Sequence, residues 1–315
     1  MDLGNILPVT VGAILLAGLY ATMSYGLGLI YGVMRIVNLS HAGIMMLAAY
    51  TTLMLYRSFG IEPYLAPVIV MPLFFVIGMG FQRLIVRRIT GAAPIVSLLL
   101  LFSVWLIIQN AAYLIWSGNT QSILRPYTTR SFRIEALDLT IGWMRLGVFL
   151  AGVVTLIILQ FFLTRTYLGK AIRATTQDRD SAKLVGIDVD RISMVAFGIG
   201  IALSALAGAL FSMILPFNPD FGRVLMLKSF AVIVLGGLTS FVGIAVGALV
   251  LALAEEWAVG VFGMQTALKD LVSFSALVLV LILLPNGLPS LLGRMPVWRT
   301  KPARPTTAPT GGKAA

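Results

Sequence analysis

The stretch Arg35-Ile36-Val37-Asn38-Leu39-Ser40-His41-Ala42-Gly43 interrupts a long apolar segment with polar residues and glycine. A second interruption, Leu235-Gly236-Gly237-Leu238-Thr239-Ser240-Phe241-Val242-Gly243, lies near the other end of the chain. A bilayer tolerates interrupted helices only where the freed amides and carbonyls border protein or a cavity. Two such interruptions in corresponding parts of a chain indicate a polar site inside a membrane protein.

The composition is that of an integral membrane protein. Hydrophobic residues make up 59% of the chain and charged residues 11%, against roughly a quarter charged in a soluble domain. A span needs about 20 apolar residues, and eight stretches without Asp, Glu, Lys or Arg approach or exceed that length. They are 7–30, 39–56, 65–82, 94–116, 146–163, 192–215, 229–254 and 271–292. We therefore predict an all-α, polytopic helical membrane protein with about seven to eight transmembrane segments, two of them broken or re-entrant.

Basic residues predict how the segments are oriented. Three arginines at 83–88 and six basic residues at 165–191 place both connections in the cytoplasm by the positive-inside rule. The basic tail should lie on the same side, but eight plain crossings would put it on the opposite side. The conflict disappears if 229–254 enters and returns, breaking at Gly236-Gly237. Seven crossings then remain, with an outer amino terminus, unless the break near Asn38 is also re-entrant.

The chain divides into one membrane domain and a short tail. Residues 1–298 form the transmembrane domain, which includes an outer loop at 117–145 and a cytoplasmic segment at 165–191. Alternating residues at 131–135 permit a short strand or hairpin in the outer loop, which is equally suited to be a lid, a docking surface or a plain connector. Residues 299–315 are rich in Pro, Thr, Gly and Ala, and we predict that they are disordered.

The cytoplasmic segment should contain one short helix at 169–186, with Gly186 as its C-terminal cap. Small residues and one carboxylate recur at helical spacing along one face. That face consists of Ala171, Ala174, Asp178, Ala182 and Val185. It suits either a socket on a partner protein or, with the surrounding cations, an anionic lipid surface. The chain has no phosphate-binding Gly-x-x-x-x-Gly-Lys-Ser/Thr loop, so ATP-driven work would require a separate subunit.

Three segments resemble motifs of one transporter family. Residues 28–43, Gly-Leu-Ile-Tyr-Gly-Val-Met-Arg-Ile-Val-Asn-Leu-Ser-His-Ala-Gly, resemble the first signature of LivH-type permeases of bacterial ABC importers for branched-chain amino acids. Residues 173–187 resemble the cytoplasmic coupling segment of that family, and 228–255 resemble its third motif. The resemblance implies an inner-membrane permease with two ABC ATPase subunits, a second permease subunit or second copy, and a periplasmic substrate-binding protein. Relatives carry branched-chain amino acids, other amino acids, urea or short amides, which leaves the solute open.

The resemblance and the interrupted segments together give two sets of candidate site residues. The substrate-pathway candidates are Asn38, Ser40, His41, Gly43, Gly236, Gly237, Thr239, Ser240 and Gly243. The ATPase-coupling candidates are Ala171, Arg173, Ala174, Asp178, Ala182 and Gly186. Free amides at the start of a half-helix can hold a carboxylate.

Structural roles compete with these assignments. Asn38 and Ser40 can cap their own helix, and His41 can be a packed imidazole with its hydrogen bonds satisfied. Gly243 and Gly247 form a Gly-x-x-x-Gly pattern that can serve helix packing alone.

Other classes of protein fit the sequence less well. With no cysteine and one histidine, we expect no catalytic residue, no metal site and no cofactor. The net charge of +11 lies in loops and the tail, where it reports orientation and lipid contact rather than nucleic-acid binding. An ion-coupled carrier would need ionisable chains within its spans, and the eight stretches hold only His41. A non-transporting membrane scaffold is the remaining alternative of a different class.

Overall fold

A computed structural model describes residues 5–123, 130–135, 139–238 and 240–283. Helices dominate the described residues, which confirms the predicted helical membrane fold. The helices are α1 (Ile6–Met34), α2 (His41–Phe59), α3 (Ala66–Phe81), α4 (Arg87–Ile89), α5 (Pro94–Trp116), α6 (Trp143–Arg165), α7 (Tyr167–Gln177), α8 (Arg179–Leu184), α9 (Val189–Ile214), α10 (Phe221–Gly236), α11 (Phe241–Gly260) and α12 (Lys269–Leu283). Of the two structures that the alternating residues permitted in the outer loop, a strand or a hairpin, the structure has the hairpin: antiparallel strands β1 (Ser131–Ile134) and β2 (Leu139–Gly142) pair with Ser131 opposite Gly142.

Seven helical segments of the described chain are long and apolar enough to cross a bilayer. They are Ile6–Met34, Ala66–Ile89, Pro94–Trp116, Trp143–Arg165, Val189–Ile214, Phe241–Gly260 and Thr266–Leu283. Helix α2, which has 19 residues and carries Arg57 in its last turn, is not in this set. Helix α10 has 16 residues, about 24 Å at 1.5 Å per residue, which is too short to span alone.

Helices α1 and α9 form the centre of the molecule. In an apolar 18-residue stretch of α9, 83% of the residues are buried; the corresponding share is 22% in α5 and 11% in the segment that contains α12. Small residues let the central helices approach closely: Gly26 of α1 faces the Gly200 carbonyl of α9, and Gly18 of α1 faces Gly152 of α6. The peripheral helices therefore surround a glycine-packed centre and present their apolar residues outward, toward lipid.

The predicted break at Gly236-Gly237 is confirmed, and the chain reverses there. The prediction that this segment does not cross was wrong in one respect, because its second half, Phe241–Gly260, is by itself long and apolar enough to span. Gly243 of α11 packs on Gly236, while Gly247, one turn later, packs on both Gly236 and Val232 of α10. Since the contacts move backward along α10 as they move forward along α11, the two helices form an antiparallel hairpin. The end of α11 lies beside the start of α1, where Trp257 Nε1 donates to Thr10 Oγ1 at 3.1 Å.

Two local predictions were wrong. The arginines at 83–88 lie on a helical continuation of α3, a π-helical turn at Gln82–Val86 followed by α4, rather than in a loop. Residues 169–186 form two helices instead of one, because the backbone at Asp178 is extended. The predicted tail at 299–315 and the end of the membrane domain beyond Leu283 lie outside the described residues.

Candidate functional site

The first break begins where α1 ends. Arg35, the residue after Met34, adopts φ 56° and ψ 29°, in the left-handed region that L-residues other than glycine rarely occupy. Residues 36–38 then leave the helix, and the His41 amide donates to the Asn38 carbonyl at 3.2 Å. That bond closes a tight turn from which α2 starts, so Asn38 and His41 are the first and last residues of one turn.

Three polar side chains of this turn are almost completely buried: Asn38, Ser40 and His41 are exposed by 0%, 1% and 0%. Ser40 Oγ donates to Asn38 Oδ1 at 2.6 Å instead of capping α2. The capping roles considered for Ser40 and Asn38 are therefore not those seen in the structure. The serine orients the asparagine side chain and leaves the Asn38 amide nitrogen without a partner.

His41 is packed but only half satisfied. Its Nδ1 lies 2.7 Å from Ser204 Oγ, and the same hydroxyl donates to the Gly200 carbonyl at 2.8 Å. When the serine hydroxyl donates to Gly200, it accepts from an Nδ1–H, and Nε2 is then the unprotonated ring nitrogen. Nε2 has no hydrogen-bond partner among the described residues. The described residues contain four buried side-chain N or O atoms without a partner, and this turn contributes two of them. Leaving such a group unpaired costs about 1–3 kcal/mol.

Gly43 has a different environment from its neighbours. A Cβ at this position would lie 3.1 Å from Ile108 Cγ2 of α5, closer than side chains normally approach. Gly43 therefore permits the packing of α2 against α5, and its proposed place in a pathway stays a prediction.

At the second break, the described polar groups are paired within the hairpin. Gly237 has φ 82°, and its carbonyl accepts from the Ser240 amide at 3.0 Å. Ser240 Oγ accepts from the Gly243 amide at 3.1 Å and caps α11. A Cβ on Gly236 or Gly243 would overlap the carbonyl oxygen of the other glycine. Thr239, also a candidate, lies outside the described residues.

Helix α1 passes between the two breaks. Gly26 faces Ser204, the partner of His41, whereas Gly28 faces Ile244 at the start of α11. Residues two apart on an α-helix point about 200° apart, so the breaks pack on opposite sides of α1. The structure groups Asn38, Ser40 and His41 at one place and Gly236, Gly237, Ser240 and Gly243 at another.

Sequence reasoning missed a buried ionic cluster that holds the hairpin. Lys228 of α10 and Glu255 of α11 are exposed by 6% and 0%, and Lys228 Nζ lies 3.0 Å from Glu255 Oε1 and 3.2 Å from Asp270 Oδ1. Tyr20 of α1 donates to Glu255 Oε2 at 2.7 Å. Ser273 of α12 also donates to the Glu255 carboxylate. The cluster therefore joins four helices.

A sequence signal for this cluster did exist. Lys228 and Glu255 are the residues that immediately precede and follow the charge-free stretch 229–254. A stretch that enters and returns brings its two flanks together, so the predicted reversal already implied that these opposite charges would meet.

The coupling segment, residues 165–191, buries part of its predicted small-residue face against the rest of the permease. Ala171 and Ala182 are exposed by 5% and 3%, and they pack against the permease itself. Ala174 and Arg173 are half-buried. Leu184 and Val185 instead are exposed by 88% and 76%, so the surface available to a partner is more apolar than predicted.

Asp178 and Gly186 set the ends of α8. Asp178 Oδ1 accepts from the amides of Asp180 and Ser181, both at 3.0 Å. The hydrogen bonds from Ser181 hold the pKa of the Asp178 carboxyl below its usual value. Gly186 has φ 83°, and the Ile187 amide reaches back to the Ala182 carbonyl at 3.1 Å, which confirms the predicted glycine cap.

Comparison with known proteins identifies the family. A family model described as "Branched-chain amino acid transport system / permease component" matches residues 9–281. The chain is 29% identical over 289 residues to the high-affinity branched-chain amino acid transport system permease protein BraD of Pseudomonas aeruginosa, covering 87% of this chain and 92% of that protein. It is 26% identical over 295 residues to LivH of Escherichia coli K12, covering 89% and 92%. It is 25% identical over 269 residues to the probable LivH of Methanocaldococcus jannaschii, covering 81% of each. No solved structure matches the chain.

The matched proteins are permease components rather than catalytic subunits, and the matches extend over most of the described helices. Seven segments able to cross a bilayer agree with a multi-pass protein of the inner membrane. The chain belongs to the family of permease components of branched-chain amino acid transport systems.

Proposed function

We propose that this permease passes a small amino-acid-like solute along the first break, at the turn formed by Asn38, Ser40 and His41. The observation that carries the proposal is the pair of buried, unpartnered polar atoms, Asn38 Nδ2 and His41 Nε2, on one turn. A bilayer-embedded protein gains nothing in stability from such atoms. A passing solute that offers both an acceptor and a donor would pair with them.

The most suitable solute is a branched-chain amino acid. Its carboxylate accepts from the Asn38 amide, and its ammonium donates to His41 Nε2. Ile36, Val37 and Leu39 belong to the apolar surroundings of the turn and suit an aliphatic side chain. The relatives whose names specify branched-chain amino acids support this choice.

Urea or a short amide is the second candidate solute. The three polar side chains of the turn carry no full charge when His41 is neutral, and a neutral carbonyl and amino group would pair with Asn38 and His41 equally well. A permease named for autoinducer 2 import, LsrC of Escherichia coli, is 33% identical over 116 residues, which cover 36% of this chain and 33% of that protein; solutes therefore vary among proteins that this chain resembles.

Membership of this family implies ATPase and binding-protein partners. We propose two ABC ATPase subunits, a second homologous permease or a second copy of this chain, and a periplasmic substrate-binding protein. The exposed Leu184 and Val185, with the charges around Asp178, supply the ATPase contact. The apolar outer faces of the peripheral helices contact lipid.

Uptake by the reconstituted complex tests the proposal. Proteoliposomes with the ATPases and the binding protein should accumulate radiolabelled leucine, isoleucine or valine only with ATP. Asn38→Leu should reduce uptake at least tenfold, because it removes the donor. Ser193→Ala is the matched control, since Ser193 Oγ is also buried without a partner but lies on α9; it should transport normally.

Three results would redirect the proposal. Uptake of urea or short amides in place of leucine would establish the second solute class. Normal uptake by Asn38→Leu would exclude the first break as the passage. ATP hydrolysis that never responds to the binding protein, with no uptake of any of these solutes, would favour the membrane scaffold.

A further inference from the structure

Arg35 occupies a position that no assigned role explains. It is the residue after α1, the first residue of the break, and one of two described non-glycine residues with positive φ. Its backbone amide donates to the Tyr31 carbonyl at 2.8 Å and so ends the helix. Left-handed backbone is unfavourable for arginine, and such strain persists only where surrounding contacts hold it.

The side chain of Arg35 supplies a contact to the coupling segment. Its guanidinium donates to the Thr176 carbonyl at 3.3 Å, in the last turn of α7. The carbonyls of a last helical turn lack partners within the helix, and a cation there also interacts favourably with the helix dipole. One residue therefore joins the end of α1, the end of α7 and the start of the break.

The backbone beside Arg35 has space to move. A cavity of about 300 Å³ is lined by residues 34–37 on one side and by residues between 89 and 98, with Arg179, on the other. The hairpin break has no comparable freedom, because its two glycines contact each other's backbone. A movement of α7 would thus act on residues 35–37, which lie next to open volume and lead directly into the turn of Asn38 and His41.

We infer that Arg35 is a positioning residue that transmits movement of the coupling segment to the first break. When α7 moves, the guanidinium carries residues 35–37 toward or away from the cavity and reorients the polar turn. This inference rests on the proposed passage of solute at that turn, and it adds the connection by which ATP hydrolysis reaches the turn.

A second polar connection of the coupling segment serves as the comparison. Arg179 of α8 lies 3.6 Å from Asp190 Oδ1, and Arg87 of α4 lies 3.0 Å from Asp190 Oδ2. Arg87 and Asp190 are more than half exposed. This bridge joins the coupling segment to α4 and α9 but does not include the break, so its loss should leave transmission intact.

The test measures solute uptake and ATP hydrolysis in the same proteoliposomes of the complete complex. Arg35→Ala should lower the solute transported per ATP at least tenfold, while binding-protein-stimulated hydrolysis stays within twofold of wild type. Arg35→Gly should lower the ratio similarly, although glycine relieves the backbone strain. Arg35→Lys should lose less, about two- to fivefold, since an ammonium can still reach the carbonyl. Asp190→Ala, which removes both ion pairs of this bridge, is the control and should keep the wild-type ratio.

Each contrary result has a defined meaning. A wild-type ratio in Arg35→Ala would overturn the inference, and so would a wild-type ratio in Arg35→Gly. Loss of hydrolysis and of ATPase co-purification in Arg35→Ala would show a merely structural role and would also overturn it. Wild-type vesicles that hydrolyse ATP without uptake would instead refute the proposed function, independently of any Arg35 variant.

Discussion

The two helix breaks of this permease look alike in sequence but differ in structure. The first holds buried polar atoms without partners, borders a cavity and contacts the coupling segment through Arg35. The second closes its described hydrogen bonds within a hairpin, packs glycine on glycine and is held by a buried ionic cluster. The difference teaches that two breaks of similar sequence can differ in packing: one is loosely held and has unpaired polar atoms, whereas the other is closed and glycine-packed. We propose that the first is the passage and the second its support.

The largest expected effect on stability comes from the ionic cluster of the rigid hairpin. Lys228→Met leaves Glu255 buried without its cation, and removal of one partner of a buried pair costs about 3–5 kcal/mol. Thermal unfolding in detergent should show the loss, and the double variant Lys228→Met with Glu255→Gln should lose less than the sum of the single changes. Lys183→Ala, which removes an exposed pair with Asp180, is the control. A Lys228→Met protein as stable as this control would mean that the cluster does not hold the hairpin.

The glycine contact of the hairpin should give the next largest effect. Gly243→Ala places a methyl group against the Gly236 carbonyl, and overpacking of this kind costs about 1–3 kcal/mol. Gly80→Ala on α3 is the matched control, because nothing lies within 4 Å of a Cβ at that position. The melting temperatures of the two variants are measured in the same detergent, and that of Gly243→Ala should be lower. Equal melting temperatures would argue against close packing at the second break.

The first break should respond in the opposite way, with little change in stability and a large change in transport. His41→Phe keeps an aromatic ring, and the Ser204 hydroxyl retains its bond to the Gly200 carbonyl. We expect the free energy of unfolding to change by less than about 1 kcal/mol, while uptake falls at least tenfold. Melting curves and uptake from one preparation provide the check. A strongly destabilised protein would make His41 a structural residue.

The coupling segment should show the smallest effect on stability of the membrane domain. Gly186→Trp strains a residue with φ 83°, and Asp178→Lys removes the cap of α8, but both positions are exposed. We predict normal insertion and loss of uptake, because the surface offered to the ATPase is distorted. Gly186→Asn tolerates the left-handed backbone better and should retain more uptake than Gly186→Trp. Equal, normal uptake in all three variants would remove the docking role.

The sequence predicted those features that depend on the conformational preferences of a few neighbouring residues. Polar residues at 38–41 and paired glycines at 236–237 predicted both breaks, and Gly186 predicted a helix end, since left-handed backbone favours glycine. The inward orientation of Ala171 and Ala182 could not be predicted, because small residues serve packing within a chain and docking between chains equally well; their proposed contact with the ATPases stays a prediction. The unequal packing of the two breaks, and the contact of Arg35 with Thr176, depend on which helices meet, which no local pattern specifies.

The most direct test compares movement at the two breaks. The chain has no cysteine, so Val37→Cys and Leu238→Cys each introduce a single reporter, one beside the cavity and one at the hairpin tip. In the reconstituted complex, the rate of modification by a water-soluble thiol reagent is measured with and without ATP. We predict that ATP changes the rate at position 37 at least fivefold and leaves the rate at position 238 within twofold. A nucleotide-dependent rate at 238 with a constant rate at 37 would contradict the assignment of the first break as the moving passage.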